Sequence, residues 1–334
     1  MGLFLFSAAS SGQIIGSSIQ RNPVMSFSSP GNKQVNVQVC NAAGCTTVTR
    51  TVVVLDPRPS IASVASVPPV LGVGQTVTLS AQTAGRPALT HRWVISGGPA
   101  DLVLTGNPAT WSTAVSGIGT YSIHLEVQNA DGLASSAPVA VSVVRMTFAD
   151  VPPTYWAWQY IEAMYSHGIT TGCAANPARY CPVDGVLRSE MAVFLTRASH
   201  GPAFVPATPV GIFADAPPSY WAAAQIEQIY TDGLTTGCAA NPLRFCPGNL
   251  LSRAEMAIFL VRARHGAAYV PPPAVGLFAD VPASNFAAPW VEQLYIDGIT
   301  TGCAASPLRF CPGDNVSRDQ MAAFLVRTFT LTLP

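Results

Sequence analysis

Phe148-Ala-Asp150, Phe213-Ala-Asp215 and Phe278-Ala-Asp280 open three copies of one unit within residues 146–334, the stretch that decides the fold. The copies follow at a constant spacing, starting at positions 148, 213 and 278. Each also carries a cysteine pair and an arginine at fixed offsets: Cys173, Cys181 and Arg188; Cys238, Cys246 and Arg253; Cys303, Cys311 and Arg318. A small repeated unit usually cannot bury its apolar face alone, so neighbouring copies stack to form a core. The function is therefore expected in the assembled set.

The composition restricts the partners of this chain of 334 residues. Its 17 basic and 17 acidic side chains cancel, which gives no reason to expect a nucleic acid or an anionic membrane as partner. No apolar run reaches the roughly 18 residues that a membrane-spanning helix needs. Lys33 is the single lysine, and arginine supplies the other basic residues. The planar arginine fork fits either anion recognition or fixed internal ion pairs.

The eight cysteines fall into four close pairs, Cys40/Cys45 and the three pairs of the repeats. This arithmetic predicts local disulfide bonds in an oxidising compartment, and hence an exported protein. Zinc is the competing interpretation. Cys-x7-Cys is not a usual zinc spacing, however, and no histidine recurs in all copies, since Asp232 and Asp297 replace His167. Neither a metal nor another cofactor is expected.

The first residues lack the features of a signal peptide. Met1 to Ser7 contain no positive charge, and their apolar stretch is short. Residues 22–53 parallel residues 107–141, so the first module lacks the front half of the second. The natural start is expected upstream of Met1, with room there for a cargo domain.

Residues 57–145 alternate apolar and polar side chains in short runs, such as Tyr121 to Val127, which Gly, Pro and Asn-Ala-Asp-Gly turns divide. This pattern predicts an antiparallel sandwich. Its length and the strand tryptophan Trp93 resemble the immunoglobulin-like and PKD (polycystic kidney disease) families in architecture. The modules are expected to act as spacers, with ligand binding by their loops as the alternative.

Each repeat predicts two helices. The first is expected to be capped by Thr154, Ser219 or Ser284 and to stop at a glycine. The second opens at Ser252-Arg-Ala-Glu255 in copy two and at Ser317-Arg-Asp-Gln320 in copy three, both of which fit the capping box. Leu187 takes the place of the serine in copy one.

The capping box does not explain the arginine inside it. Arg188 lies near the rim of an apolar helix face and is expected to point toward a junction, whereas Arg197 is expected to be solvated or ion-paired. Two interpretations remain open for Arg188, Arg253 and Arg318. They bind a ligand, or they form structural salt bridges with Asp150, Asp215 and Asp280 or with Glu162, Glu227 and Glu292.

Phe-x-Asp-Val-Pro, Gly-Ile-Thr-Thr-Gly, Phe-Cys-Pro and Ser-Arg-Ala-Glu-Met-Ala resemble the S-layer homology domain, whose hallmark is Thr-Arg-Ala-Glu. The resemblance covers residues 146–334 and implies three tandem domains, a pseudo-threefold helical assembly with grooves between units, and non-covalent attachment to an acidic, often pyruvylated, cell-wall polysaccharide. By position it implies these glycan-binding residues: Arg188, Arg253, Arg318, Asp150, Asp215, Asp280, Trp156, Trp221, Gly172, Gly237 and Gly302. The third copy has Phe286 instead of tryptophan.

Copy two is closest to the family pattern, because it alone retains Ser252, Glu255 and Trp221 together. Arg253 is therefore expected to contribute most to binding. The repeated cysteine pair lies outside the basic family pattern and suggests an envelope in which disulfides form readily, where the wall polymer could differ from the pyruvylated one.

The sequence thus predicts a multidomain protein with all-β immunoglobulin-like sandwiches followed by an all-α S-layer homology assembly. The expected domains are a truncated β module (1–56), a β-sandwich (57–145) and three repeats (146–204, 205–269 and 270–334).

The expected function is that of a non-catalytic extracellular surface protein, anchored through its repeats to an acidic wall polysaccharide or a peptidoglycan-linked polymer. The alternative is a structural or adhesive surface protein that binds through the sandwich loops. An enzyme is disfavoured, because the sequence contains no Gly-x-Ser-x-Gly, His-Glu-x-x-His or phosphate-loop motif.

Overall fold

A computed structural model describes residues 3–10, 13–19, 24–99 and 101–334. The chain divides into two compact units, Met1–Arg145 and Met146–Pro334. No helix in the described ranges is long and apolar enough to cross a bilayer.

The first unit begins with a four-stranded antiparallel sheet. Its strands are β1 (Leu3–Ser10), β2 (Gln13–Ser18), β3 (Gly31–Asn41) and β4 (Gly44–Val54), in the order β2-β1-β3-β4. Cys40 and Cys45 face each other in the β3–β4 register and form a disulfide bond. The bond links the two strands of this hairpin next to its turn.

Ten further strands and a one-turn helix complete the first unit. They are β5 (Ser60–Val64), β6 (Val70–Gly72), β7 (Thr76–Leu79), β8 (Ala81–Ala84), β9 (Thr90–Ser96), β10 (Leu102–Thr105), β11 (Ala109–Ser112), α1 (Thr113–Ser116), β12 (Gly119–Asn129), β13 (Gly132–Ser135) and β14 (Val139–Val144). The main sheet has the order β10-β9-β12-β14-β6, with β13 on β12, while β11 pairs with β7 and β5 with β8.

These sheets share one apolar core. Along β12 every second side chain is buried, from Tyr121 to Val127, as the alternating pattern predicts. Trp93 and Trp111 are fully buried in the same cluster, and Trp111 packs edge to face on Tyr121 with ring centroids 5.5 Å apart. The large aromatic rings thus hold the layers together.

The second unit repeats one motif three times: a helix, a two-stranded ribbon and a second helix. The helices are α2 (Trp158–Ser166), α3 (Arg188–His200), α4 (Ala223–Thr231), α5 (Arg253–His265), α6 (Ala288–Ile296) and α7 (Arg318–Phe329). The ribbon strands are β15 (Ala174–Ala175), β16 (Ala178–Arg179), β17 (Ala239–Ala240), β18 (Leu243–Arg244), β19 (Ala304–Ala305) and β20 (Leu308–Arg309).

The predicted all-α fold of residues 146–334 is wrong. Each loop between two helices folds back as an antiparallel ribbon, and single β-bridges also join different repeats. In the described residues of the chain, seven short helices make up 22% of the structure. Strands of two residues leave no periodic pattern in the sequence, so the helical signal dominated the prediction. The unit is mixed α and β.

The capping predictions had different outcomes. Ser252 forms the complete capping box, because its hydroxyl accepts from the Glu255 N–H at 3.3 Å and its own N–H donates to the Glu255 carboxylate at 3.1 Å. Ser317 makes no such bond and contacts Asp319 instead. The first helices begin after Ala157, Ala222 and Ala287 with no side-chain cap, so Thr154, Ser219 and Ser284 do not cap them. Hydrogen-bonded turns precede these helices and displace their starts.

The three repeats close into a ring. The N–H of Leu251 donates to the carbonyl of Val186, the N–H of Val316 to that of Leu251, and the N–H of Val186 to that of Val316, at 2.8 to 2.9 Å. The second helix of each repeat packs on the first helix of the next: α3 on α4, α5 on α6 and α7 on α2. Every repeat therefore supplies one side of two junctions.

Candidate binding grooves between the repeats

The arginine of each repeat begins the second helix and reaches into the following repeat. Arg188, Arg253 and Arg318 are no more than 5% exposed. Their Nε atoms donate to the carbonyls of Phe245, Phe310 and Tyr180 at 2.9, 2.7 and 2.9 Å. Each guanidinium also lies over the ring of the same residue, 4.8 to 5.0 Å from the centroid. Arginine suits this position because its planar group can stack and donate at once.

Two of the three arginines have a carboxylate partner in the next repeat. Arg188 Nη1 lies 2.5 Å from Glu255 Oε1, and Arg318 Nη1 lies 2.7 Å from Glu190 Oε1. Burial lowers the pKa of Arg188, and the nearby Glu255 carboxylate opposes this effect. The structure therefore pairs Arg188 and Arg318 with the glutamates of the capping motif, and not with either set of acids expected from the sequence.

The third junction lacks this pair, because Gln320 occupies the position of Glu190 and Glu255. Within the described residues, no carboxylate lies at ion-pair distance from Arg253. Arg253 Nη2 and Gln320 Oε1 are both buried without a hydrogen-bond partner there. Burial lowers the pKa of Arg253, whereas the charges of Asp314 and Asp280 raise it.

The first aspartates, Asp150, Asp215 and Asp280, hold the turn after each ribbon. Each carboxylate accepts two backbone N–H bonds of 2.8 Å, from the pairs Tyr180 and Cys181, Phe245 and Cys246, and Phe310 and Cys311. For Asp280, burial raises the pKa, but the two N–H donors and Arg309 outweigh it and the pKa is lowered. None of the three aspartates lines the two cavities described below.

The glutamates of the first helices hold the backbone segment that precedes each first helix. Glu292 accepts from the N–H groups of Val275, Gly276 and Leu277 at 2.8 to 2.9 Å. Glu227 binds residues 210–212 in the same way, and Glu162 binds Thr147. These side chains are structural and do not contact the motif arginines.

The larger cavity, the Phe286 groove, has a volume of about 360 Å³. All three repeats contribute to it: Arg188 from the first, Thr235 to Cys238 with Glu255, Phe259 and Arg262 from the second, and Phe286 from the third. The Trp221 groove, of about 140 Å³, repeats this arrangement one unit earlier in the ring. It is lined by Thr170 to Gly172, Glu190, Phe194, Arg197, Trp221 and Arg318.

The aromatic residue before each first helix is open to solvent. Trp156, Trp221 and Phe286 are 56%, 62% and 73% exposed, and the last two line the grooves named after them. Trp156 instead donates its indole N–H to Asp319 at 3.1 Å, and the Tyr155 hydroxyl donates to the same carboxylate at 2.6 Å. Burial and the bond to Asp319 raise the pKa of Tyr155 to about 12.

The predicted glycines shape the loop along each groove. Gly172, Gly237 and Gly302 have φ values of +89°, +87° and +86°. A Cβ at these positions would lie 2.3 to 2.5 Å from the carbonyl oxygen of Arg179, Arg244 or Arg309. Gly172 and Gly237 line the Trp221 and Phe286 grooves. Glycine is therefore required here by both backbone conformation and space.

A second arginine belongs to each repeat and was missed as a site residue. Arg197 and Arg262 line the Trp221 and Phe286 grooves, although the sequence predicted Arg197 to be solvated or ion-paired. They donate to the carbonyls of Ile169 and Leu234 at 3.1 and 3.3 Å, and Arg327 donates to Ile299 at 3.0 Å. Their recurrence at one offset in all three repeats was the signal that could have found them.

The disulfide bonds predicted from the cysteine spacing are confirmed. Cys173 bonds to Cys181, Cys238 to Cys246 and Cys303 to Cys311, each across a ribbon. Together with Asp150, Asp215 and Asp280 these sulfurs form three tight clusters. Sulfur in a disulfide is not a thiolate, which is the form that binds zinc, so the clusters are disulfide-closed turns in this redox state.

Comparison with known proteins found a family match within the first repeat. Residues 147–173 match the S-layer homology domain family. These residues contain α2 and the loop that lines the Trp221 groove. The match suggests cell-wall anchoring of a surface protein and association with the cell envelope.

The chain is also 33% identical over 116 residues to an endoglucanase of Bacillus sp. (strain KSM-635). That alignment covers 35% of this chain and 11% of the endoglucanase, so the chain spans a small part of that relative.

Solved structures with immunoglobulin domains also match. DIP-gamma IG1+IG2 is 15% identical, with 43% of this chain and 84% of that chain covered and a TM-score of 0.26. The Drosophila OTK extracellular domains 3–5 are 19% identical, with 35% and 40% covered and a TM-score of 0.21. Scores this low carry no argument for the fold.

Proposed function

We propose that residues 146–334 form three tandem S-layer homology domains that hold this protein non-covalently on an acidic cell-wall polysaccharide or a peptidoglycan-linked polymer. The protein is then a non-catalytic extracellular surface protein, and its β modules are spacers. The second and third repeats share with the first the arginine between repeats, the aspartate-held turn and the disulfide, which supports extending the family to them.

The observation that carries this proposal is that residues of all three repeats together line the Phe286 groove. An exposed aromatic ring offers a flat face to a sugar, and the hydroxyls of Thr235 and Thr236 offer hydrogen bonds to sugar hydroxyls. Arg262 adds a positive charge for an acidic group. A groove of this kind exists only in the assembled ring, which fits a module that binds a polymer as a unit.

The same groove supports the absence of hydrolysis. Glycoside hydrolysis uses a pair of carboxyl groups on either side of the scissile bond. Glu255 is the one carboxylate among the residues that line the Phe286 groove, and it is 2.5 Å from Arg188. Its charge is therefore already used in an ion pair.

The test is sedimentation of the full chain with purified cell walls. Trp221→Ala with Phe286→Ala removes two exposed rings. We expect an unchanged melting temperature and wall retention weaker by about fivefold to a hundredfold, at roughly 0.5 to 1.5 kcal/mol per aromatic contact. Leu133→Ala, an exposed change in β13, is the matched control and should retain the parent binding. Unchanged retention of the double variant would contradict the proposal and favour adhesion through the β modules.

A further inference from the structure

The ring contains one junction that no peptide segment bridges directly. Of the three packed helix pairs, α3–α4, α5–α6 and α7–α2, only the last consists of helices that do not follow each other in the chain. Residues 201–222 connect α3 to α4, and residues 266–287 connect α5 to α6. Bringing the ends of a short loop together costs little entropy, so these two tethered junctions close again easily after opening. The α7–α2 junction, called the seam here, depends on its non-covalent contacts.

The seam also lacks a contact that both tethered junctions share. A histidine at the end of α3 and of α5 lies 2.8 or 2.7 Å from an aspartate at the end of the next first helix: His200 from Asp232 and His265 from Asp297. At the seam His167 stands in the place of the aspartate, and it contacts the Thr332 hydroxyl at 3.3 Å. The seam thus needs another contact to hold it.

Asp319 supplies such a contact. It stands in α7 where Ser189 stands in α3 and Ala254 in α5. Its Oδ2 accepts hydrogen bonds across the seam from the Tyr155 hydroxyl at 2.6 Å and from the Trp156 indole N–H at 3.1 Å. In the described structure the Ser189 hydroxyl has no hydrogen-bond partner, and an alanine side chain has no acceptor. Neither tethered junction therefore has this contact.

The Asp319 carboxylate has no acceptor site left for a ligand. It is 6% exposed, and its Oδ1 accepts from the Gln320 N–H at 2.7 Å and contacts the Ser317 hydroxyl. With Tyr155 and Trp156 this makes four donors, and a carboxylate offers about four lone-pair sites. The role of Asp319 is therefore internal: it fastens the first turn of α7 to the segment that leads into α2.

The seam also completes the Trp221 groove. Arg318, the residue before Asp319, is the one lining residue of this groove that comes from the third repeat. The Phe286 groove crosses only the tethered junctions, because the second repeat lies between Arg188 of the first and Phe286 of the third. Opening of the seam would therefore remove Arg318 from the wall of the Trp221 groove and leave the Phe286 groove intact.

We propose that Asp319 is the latch of the ring: it holds α7 on α2 at the untethered seam and thereby keeps Arg318 in the wall of the Trp221 groove. Asp319 is a positioning residue, since it touches no ligand itself. Hydrogen bonds to an ionised carboxylate are about twice as strong as those between neutral groups, which suits such a latch. The inference goes beyond the proposed function, because it concerns opening of the ring whatever the grooves bind.

Amide hydrogen exchange of the full chain, followed by NMR, measures opening of the seam separately from the rest. The Val186 N–H donates to Val316 across the seam, whereas the Leu251 N–H donates to Val186 across a tethered junction. In Asp319→Ala we expect exchange at Val186 to accelerate by about tenfold to a hundredfold, the range for a lost hydrogen bond to a charged group. Exchange at Leu251 should keep the parent rate.

The indole N–H signals of the same samples report on the groove. In Asp319→Ala the Trp221 signal should shift, because Arg318 leaves the wall of its groove for part of the time. The Trp290 signal should stay in place, since this ring packs under Arg262 of the second repeat, away from the seam. A Trp221 signal that does not move while the seam opens would overturn the link between latch and groove.

Two further variants separate the latch from a general loss of stability. Ser189→Ala changes the equivalent position in α3 and should leave exchange at Val186 unchanged, because the serine hydroxyl has no partner in the described chain. Tyr155→Phe leaves α7 untouched and removes one donor, so it should accelerate exchange at Val186 by a smaller factor than Asp319→Ala. Adding Tyr155→Phe to Asp319→Ala should have little further effect, since both changes remove the same bond.

Equal acceleration at Val186 and Leu251 in Asp319→Ala would overturn the inference, because Asp319 would then stabilise the ring as a whole. Unchanged exchange at Val186 would overturn it as well. If Asp319→Ala fails to fold, Tyr155→Phe decides by the same comparison of the two amides. The measurement contains no ligand, so a parent chain that walls do not retain would remove the proposed function and leave the latch standing.

Discussion

Arg318 Nη1 lies 2.7 Å from Oε1 of Glu190, so the capping motif of the third repeat is completed by that of the first. The motif residues of one repeat thus serve different junctions. The Glu255 side chain pairs with Arg188, and Trp221 lines the same groove as Arg318. Neither side chain therefore belongs to the junction that Arg253 enters. The reason given from the sequence for favouring Arg253, that copy two keeps its motif together, is therefore wrong, because a groove is not made by one copy.

The pair of Arg318 and Glu190 should contribute to stability. Glu190→Gln leaves a buried guanidinium without its carboxylate, and we expect the free energy of unfolding to fall by roughly 1.5 to 3 kcal/mol, the value of a hydrogen bond to a charged group. Arg309→Gln is the control. The Arg309 side chain is 53% exposed, its Nε lies 3.6 Å from Asp280 Oδ2, and an exposed ion pair contributes under about 1 kcal/mol to stability. Chemical denaturation of both variants is the measurement. A Glu190→Gln curve that matches that of Arg309→Gln would contradict the buried-pair argument.

Local chemistry was predictable from the sequence, and the closure of the ring was not. The disulfide pairs and the Ser252 capping box depend on residues a few positions apart, whose spacing is visible in the chain. The bond between Val186 and Val316 joins residues 130 positions apart in numbering, and neither carries a side-chain signal for it. Backbone pairing of this kind is set by the assembled fold, which is why the ribbons and bridges were missed.

The glycine of each groove loop offers a separate test. Gly237→Ala combines a left-handed backbone with a Cβ placed 2.5 Å from the Arg244 carbonyl oxygen. Gly276→Ala is the matched control, since its φ is +81° and a Cβ there meets nothing within 4 Å. The backbone strain costs about 1 to 2 kcal/mol in both. Thermal melting should therefore show a clearly larger loss for Gly237→Ala, and equal losses would show that the loop moves aside without cost.

The pH dependence of stability follows from carboxylates that bind backbone N–H groups. Burial raises the pKa values of Asp280 and Glu292, but the N–H donors outweigh it and both values are lowered. A lowered folded pKa contributes stability above the unfolded pKa, and this stability is lost as the pH falls through the folded value. The second unit should thus lose stability progressively below about pH 4.5, near the unfolded pKa of glutamate.

Asp280→Asn should remove part of this dependence. We expect unfolding free energy lower by roughly 1.5 to 3 kcal/mol at pH 7, because two charge-assisted bonds are weakened, and a smaller difference from the parent at pH 2 to 3. Asp184→Asn is the control, since Asp184 is exposed in the same unit. Denaturation at a series of pH values gives the comparison. A parent and an Asp280→Asn variant that differ equally at every pH would contradict the assignment.

The closed ring predicts that two repeats cannot replace three. Deleting residues 279–334 removes α6 and α7, so α5 and α2 each lose the helix on which they pack, and Val186 and Leu251 each lose a backbone partner. We expect the melting temperature of the second unit to fall by about 10 °C or more, because each kcal/mol lost shifts it by about 2 to 4 °C in a unit of this size. The transition should also be less cooperative, and the uncovered helix faces should bind an apolar dye. Removal of residues 1–145 is the control and should leave the transition of residues 146–334 in place, since each unit has its own internal contacts. The transitions can be resolved by calorimetry. If the two-repeat chain melts as sharply as the parent and at the same temperature, the repeats are independent and the ring is not the stabilising unit.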